Sequence, residues 1–274
     1  MYGDRPDGTF TPKTEPPTCN ETTSVLNDPL FYALAIPAVI LMGLAKGGFA
    51  GVGALAMPLL ALAISPVQAA AILLPLLIVQ DLVGIWAFRK SWDRSILFLM
   101  VPSAAFGIVL GYLLAAKISI EAVLATLGAI SIVFAVYRLW LSRGGRVAPP
   151  GDASTLAGVA LGVTAGFTSQ VAHAGQPPFQ IWVLPKNLPP AVLVGTTAIF
   201  FGIINWLKVP AYFALGQFTQ QNLATSAVLA PIAIASTLVG VWLVRRIDAE
   251  KFYTLIYVLM VVVGVELLWK AFTG

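Results

Sequence analysis

From residue 31 onward apolar positions come in long unbroken runs, and polar positions collect in the short gaps between them. Six runs stand out, at 69–88, 96–116, 120–140, 191–213, 223–244 and 252–268. Each is near the ~20 residues that carry a helix across a bilayer. None alternates as the strands of a membrane barrel do. A backbone in hydrocarbon must satisfy its own hydrogen bonds, so the runs predict helices. Two further apolar stretches, 31–65 and 155–189, are interrupted. The first contains "GLAKGGFAGVGALAMP" at 43–58, the second "VTAGFTSQVAHAGQPPFQ" at 163–180. Each predicts a broken helical hairpin that enters the membrane and returns.

The pattern repeats. Residues 111–140 lie over 240–269 without a gap, with Gly, two Leu, Ile, Glu, two Val and the final Trp in common. Pro102 falls on Pro231 at the same offset. With small shifts Pro66 aligns with Pro190, Asp81 with Asn205, and Gly48-Phe49 with Gly166-Phe167. The predicted organisation is a polar tail (1–29), a first membrane unit (30–141), a linker (142–152) and a second unit (153–274). Each unit is a broken hairpin plus three spans, giving eight to ten membrane segments in an all-α polytopic protein.

Charge adds orientation. Cytoplasmic loops carry the Lys/Arg excess. Arg89, Lys90 and Arg94, then Arg138, Arg143 and Arg146, then Arg245, Arg246 and Lys251 mark three inner regions. The loop "LGQFTQQN" at 215–222 has no basic residue and the one near Ile118 only Lys117, which marks them as outer. Equivalent loops thus carry opposite bias, so the two units are expected to be inverted, with the linker cytoplasmic and both termini outside. Inverted repeats with broken helices are how many secondary transporters build a midplane site.

Composition narrows the class. The chain is 58% hydrophobic and 10% charged, with a mean hydropathy of +0.88. A soluble domain is about 25% charged. Residues 1–29 are polar and proline-rich, unlike a signal peptide. Cys19 alone forms no internal disulfide. With one His and one Cys there is no basis for a metal cluster, and no nucleotide-binding loop is present. No cofactor, enzymatic activity or nucleic-acid partner is expected; the partners are the lipid bilayer and a small solute, and a homo-oligomer is allowed.

Helix starts present free N–H groups and positive potential, and glycine admits a close ligand. Two such starts facing each other suit an anion. One wall would come from Lys46, Gly47, Gly48 and Gly51, the other from Thr168, Ser169, Gln170, His173, Gly175 and Gln176. Thr196, Thr197, Asn205 and Lys208 would line the cavity between. The competing reading is that small residues let helices pack closely. Lys46 and Lys208 either meet the anion or snorkel to a surface. Asp81, with Gln80 beside it, is deep in a span, where a carboxylate is expensive and usually functional. It either titrates to couple protons or braces a hairpin; its uncharged equivalent Asn205 favours bracing. Ser169 and His173 invite a nucleophile–base reading, but no orienting acid accompanies them. Ser119 and Asp248 read as N-caps ahead of Glu121 and Glu250.

The string "GFTSQVAHAGQPPFQIWVLPKNLPPAVLVGTTAIFFGIINWLKVPAYFALGQF" resembles the second repeat of the sulfite exporter TauE/SafE family, in the toluene-sulfonate uptake permease group. "GLAKGGFAGVGALAMPLLAL" resembles its first. The resemblance covers nearly all of residues 30–270. It implies a carrier of sulfur-containing anions (sulfite, organosulfonates or thiosulfate) in a bacterial inner membrane. It points to export by alternating access, with a passive channel or an uptake permease as alternatives. One departure is Gly175-Gln176-Pro177-Pro178, where family members often have Gly-Gly-Pro-Pro.

Overall fold

The apolar runs form helices in the computed structural model, which describes residues 29–49, 51–144, 154–243 and 250–273. The helices are α1 (Pro29–Gly47), α2 (Ala56–Ala63), α3 (Pro66–Phe88), α4 (Arg94–Leu114), α5 (Ile120–Ser142), α6 (Thr155–Ala172), α7 (Gln176–Val183), α8 (Pro190–Ala214), α9 (Gln220–Leu243) and α10 (Glu250–Thr273). Eight of them, all but α2 and α7, are long and apolar enough to cross a membrane. The tail, the centre of the linker, Cys19 and the Asp248 cap lie outside the described residues.

Local chemistry sets the boundaries. The Ser65 hydroxyl accepts from Gln68 N–H at 3.3 Å, with Pro66 at the first helical position of α3. Ser119 caps α5 through Ala122 N–H at 3.2 Å, as its sequence position suggested. Asp93, between α3 and α4, caps α4 through Ile96 N–H at 3.1 Å. The Ser95 hydroxyl, together with that amide, holds the Asp93 carboxyl below its ordinary range. Its stabilising contribution is therefore complete above the ordinary value and lost as pH falls through the lowered one. Asp93→Ala is expected to destabilise by about 1 kcal/mol, seen as a lower Tm in detergent at neutral pH and a smaller difference in acid.

Both hairpins have the same build: a long helix, a break, and a short return. α2 and α7 have eight residues each, about 12 Å of rise. Pro58 and Pro178 both stand at the third position of these short helices. The first break needs glycine, because Gly48 and Gly51 have φ of 130° and 96°.

Helices exchange partners between the two halves of the chain. α1 packs along α9, and α6 along α4; α3 lies against α8 and α9, and α5 against α10. Small residues make these crossings close. A Cβ on Gly47 would collide with the Gly240 backbone, one on Gly43 with Ser236, and one on Gly166 with the Ala104 carbonyl. Gly47, expected at the anion, is thus a packing residue. Gly166-Phe167 lies inside α6, ahead of its end, whereas Gly48-Phe49 lies in the break, so these pairs are not equivalent positions.

Large apolar side chains face outward, and polar groups are held inside among apolar ones. Phe98, Phe213 and Phe272 are about four-fifths exposed. Gln80, Asp81, Thr196, Asn205 and Lys208 are at most 1% exposed. Lipid as solvent accounts for this, since it rewards no polar group on the surface.

Candidate functional site

The second break starts where α6 ends. His173 caps it at φ 51°, a left-handed conformation that histidine visits more often than most residues. Its N–H donates to Ser169 O at 3.1 Å, and Ala174 N–H donates to Thr168 O at 3.1 Å. The Thr168 hydroxyl lies 3.0 Å from Ala174 O. Thr168 therefore stitches the turn together. Gly175 lets α7 start tight against α6: a Cβ there would stand 2.6 Å from Ala165 O and 2.9 Å from Ser169 Cβ.

The two breaks meet. The Gln176 side chain reaches across to Gly53, whose added Cβ would sit 3.6 Å from Gln176 Oε1. Beside this meeting point is a cavity of about 60 Å³. That is room for roughly four water-sized groups. Lys46, Ser169, His173, Gln176, Thr197, Asn205 and Lys208 supply its polar lining, and Met42, Met57, Leu77 and Phe201 much of its apolar wall.

Two lysines face this space in different electrostatic settings. Lys46, in the last turn of α1, forms an ion pair with Asp81 of α3. Its ammonium also lies 5.0 Å from the Phe201 ring centroid. Its side chain is 12% exposed, so it does not snorkel. Asn205 Nδ2 donates to the other Asp81 oxygen at 2.6 Å. Asp81 stands behind Lys46 and Asn205 and is not part of the lining.

Lys208 is fully buried, and no carboxylate lies within ion-pair distance of it among the described residues. Its Nζ meets Ser169 O at 3.2 Å, Ser169 Oγ at 3.1 Å and His173 Nδ1 at 2.7 Å. Three acceptors match the three N–H groups of an ammonium. His173 Nε2 lies 2.8 Å from Ala70 O, which can only accept. Nε2 therefore carries the imidazole proton, and Nδ1 offers its lone pair to Lys208. His173 is a neutral prop that holds a cation in place. It is not a base for Ser169, so the nucleophile–base pair is not assembled.

Backbone amides contribute less than the sequence suggested. In the first break the N–H groups of Gly48, Phe49, Val52 and Ala54 bond to local carbonyls. At the start of α7, Pro177 and Pro178 have no N–H to offer. The side-chain donors open toward the cavity are the remaining N–H groups of Lys46, the Ser169 hydroxyl and the Gln176 amide.

Other predicted residues have different work. Gln80 Nε2 donates to Val39 O at 3.3 Å and Ala233 O at 3.5 Å, tying α3 to α1 and α9. Thr196 Oγ1 accepts from Asp93 N–H at 2.8 Å, anchoring the loop before α4. A Cβ on Gly51 would face the Tyr257 and Phe134 rings. Gln170 lines a second cavity of about 160 Å³ with Ala70, Tyr212, Leu215 and Gln217. Phe201 was missed, although Thr197, Phe201, Asn205 and Lys208 form a stripe at helical spacing along α8.

A search of curated proteins finds no match, and neither does a search of solved structures. The family model described as sulfite exporter TauE/SafE matches residues 35–267, a range that contains both breaks and every polar residue of the central cavity. The chain belongs to the sulfite exporter TauE/SafE family of membrane transporters.

Proposed function

We propose that this protein is a secondary carrier that exports a small sulfur-containing oxyanion, such as sulfite or a compact organosulfonate, across a bacterial inner membrane. The observation that carries this reading is Lys208, a buried lysine on a cavity wall with no carboxylate within ion-pair distance among the described residues. A charge so placed is costly unless an anion shares the space. The anion accepts hydrogen bonds from the Ser169 hydroxyl, the Gln176 amide and Lys46. The cavity is sized for a sulfur atom with a few oxygens.

Alternating access is supported by two features. Between the central cavity and the second one stand the His173–Ala70 hydrogen bond and the Tyr212 ring, stacked on His173 at 5.9 Å between centroids. This closed layer favours a carrier over a passive channel. Asp81 and Asn205, aligned by the internal repeat, also bond to each other. Equivalent residues meet in this way near a pseudo-two-fold axis, which fits two inverted units moving against one another. Asp81, held by Lys46 and Asn205, acts in this reading as a brace and not as a proton carrier.

The test is uptake of labelled sulfite into proteoliposomes. Saturation, with competition by methanesulfonate, is the expected result. Linear, unsaturable flux without counterflow would instead mean a channel. Gln176→Gly is expected to raise the sulfite KM about tenfold or more, the loss of one hydrogen bond to a charged acceptor, and to admit a bulkier sulfonate such as benzenesulfonate. Unchanged values for both substrates would remove Gln176 from the site.

A further inference from the structure

Resting on the anion-carrier reading, we infer that Asp81 sets the charge preference of the central cavity, making it a site for singly charged anions that discriminates against dianions. The charged and titratable groups around the cavity are Lys46 from α1, Asp81 from α3, His173 from the second break and Lys208 from α8. α7 and the first break contribute only uncharged groups to the lining. His173 donates its Nε2 proton to Ala70 O and accepts from Lys208 at Nδ1, so it is neutral. Lys46 is paired with Asp81, and Lys208 has no carboxylate within ion-pair distance among the described residues. With both lysines protonated and Asp81 ionised, the protein presents one net positive charge.

A monoanion closes that balance. A dianion leaves one uncompensated negative charge among apolar walls such as Met42, Leu73, Leu77 and Phe201, where hydration cannot offset it. Asp81 does this without touching the anion. It approaches the cavity from behind, through Lys46 and through the Asn205 amide at 2.6 Å. Asn205 fixes the carboxylate, and the carboxylate fixes Lys46. A simple alkanesulfonate such as methanesulfonate carries one charge. Hydrogensulfite carries one, and its conjugate dianion two; the species transported is hydrogensulfite.

Proteoliposomes loaded for counterflow provide the test, with methanesulfonate as the monoanion and sulfate as the dianion. In the wild type, methanesulfonate is expected to compete with labelled sulfite and sulfate is not. Asp81→Asn raises the cavity charge by one, and sulfate is expected to gain about tenfold or more in competition relative to methanesulfonate. The double variant Lys46→Gln/Asp81→Asn restores a single positive charge and should restore the wild-type preference, which a merely structural role for Asp81 does not predict. Raising pH through the ionisation of hydrogensulfite should slow wild-type sulfite transport while leaving methanesulfonate transport unchanged; this arm stands even if the variants do not insert. Equal competition by sulfate in the wild type, an unaltered ratio in Asp81→Asn, or sulfite transport flat with pH would each overturn the inference while leaving the carrier intact. Absence of saturable transport for both anions would overturn the carrier reading itself.

Discussion

Lys208→Met is expected to weaken sulfite binding by about 2 kcal/mol or more, at least ~30-fold in Kd, without lowering the melting temperature. The two halves of this expectation come from one feature. The Lys208 ammonium is fully buried and hydrogen-bonded to Ser169 O, Ser169 Oγ and His173 Nδ1, yet it has no carboxylate partner among the described residues. Replacing a buried ammonium that has no ion partner with an apolar side chain of similar length removes its desolvation penalty, which offsets the hydrogen bond lost at His173 Nδ1. The anion loses its counter-charge in the same step. A stable, folded variant that no longer shows saturable counterflow is therefore the signature of a functional charge. A variant that melts much earlier with unchanged transport would place Lys208 among the structural residues. Lys208→Arg is no substitute, since a planar fork does not reproduce three donors converging from one nitrogen.

The second large effect is structural. Gly166→Leu is expected to destabilise the protein by about 3 kcal/mol or more, seen as a lower Tm in detergent and loss of the monodisperse species on size exclusion. A Cβ at Gly166 would overlap the Ala104 carbonyl, so the obstacle is the backbone of α4 and no rotamer change relieves it. The pair α4 and α6 makes the most extensive helix contact in the fold. Separating them also displaces Ser169 and His173, which α6 carries at its end. Gly84→Ala is the control. Its Cβ would meet Lys46 O at 3.4 Å and Ala198 Cβ at 3.5 Å, ordinary contact distances, so little change is expected. An equal loss in both variants would mean that helix crossings in general, and not the Gly166 contact, limit stability.

The helices were legible because lipid is an unforgiving solvent. A run such as 120–140 has one local solution in hydrocarbon, and α5 occupies Ile120–Ser142. The breaks were legible for a related reason. Glycines at 48 and 51, and the pair Pro177-Pro178, dictate backbone that a continuous helix does not accept, and they need no distant partner to do so. Lys46, Asp81, Asn205 and Lys208 stood out as charged or polar groups in apolar segments.

Their pairings were not legible. Lys46 and Asp81 are 35 positions apart, and Lys208 and His173 likewise. Whether either lysine snorkelled or turned inward depended on which helix packed beside it. Ser169 and Gln170 make the point within one turn of α6. Both are polar, buried neighbours, yet Ser169 lines the central cavity and Gln170 the second one. Thr168, one position earlier, lines neither and holds the turn. Successive helical side chains diverge by about 100°, so the helices around α6 decide what each one faces. The sequence by itself determined the membrane helices, the two breaks and the inventory of polar groups, because backbone and solvent act locally. Only the tertiary structure decided which cation was neutralised and which was left for an anion, because that depends on packing between helices far apart in the chain.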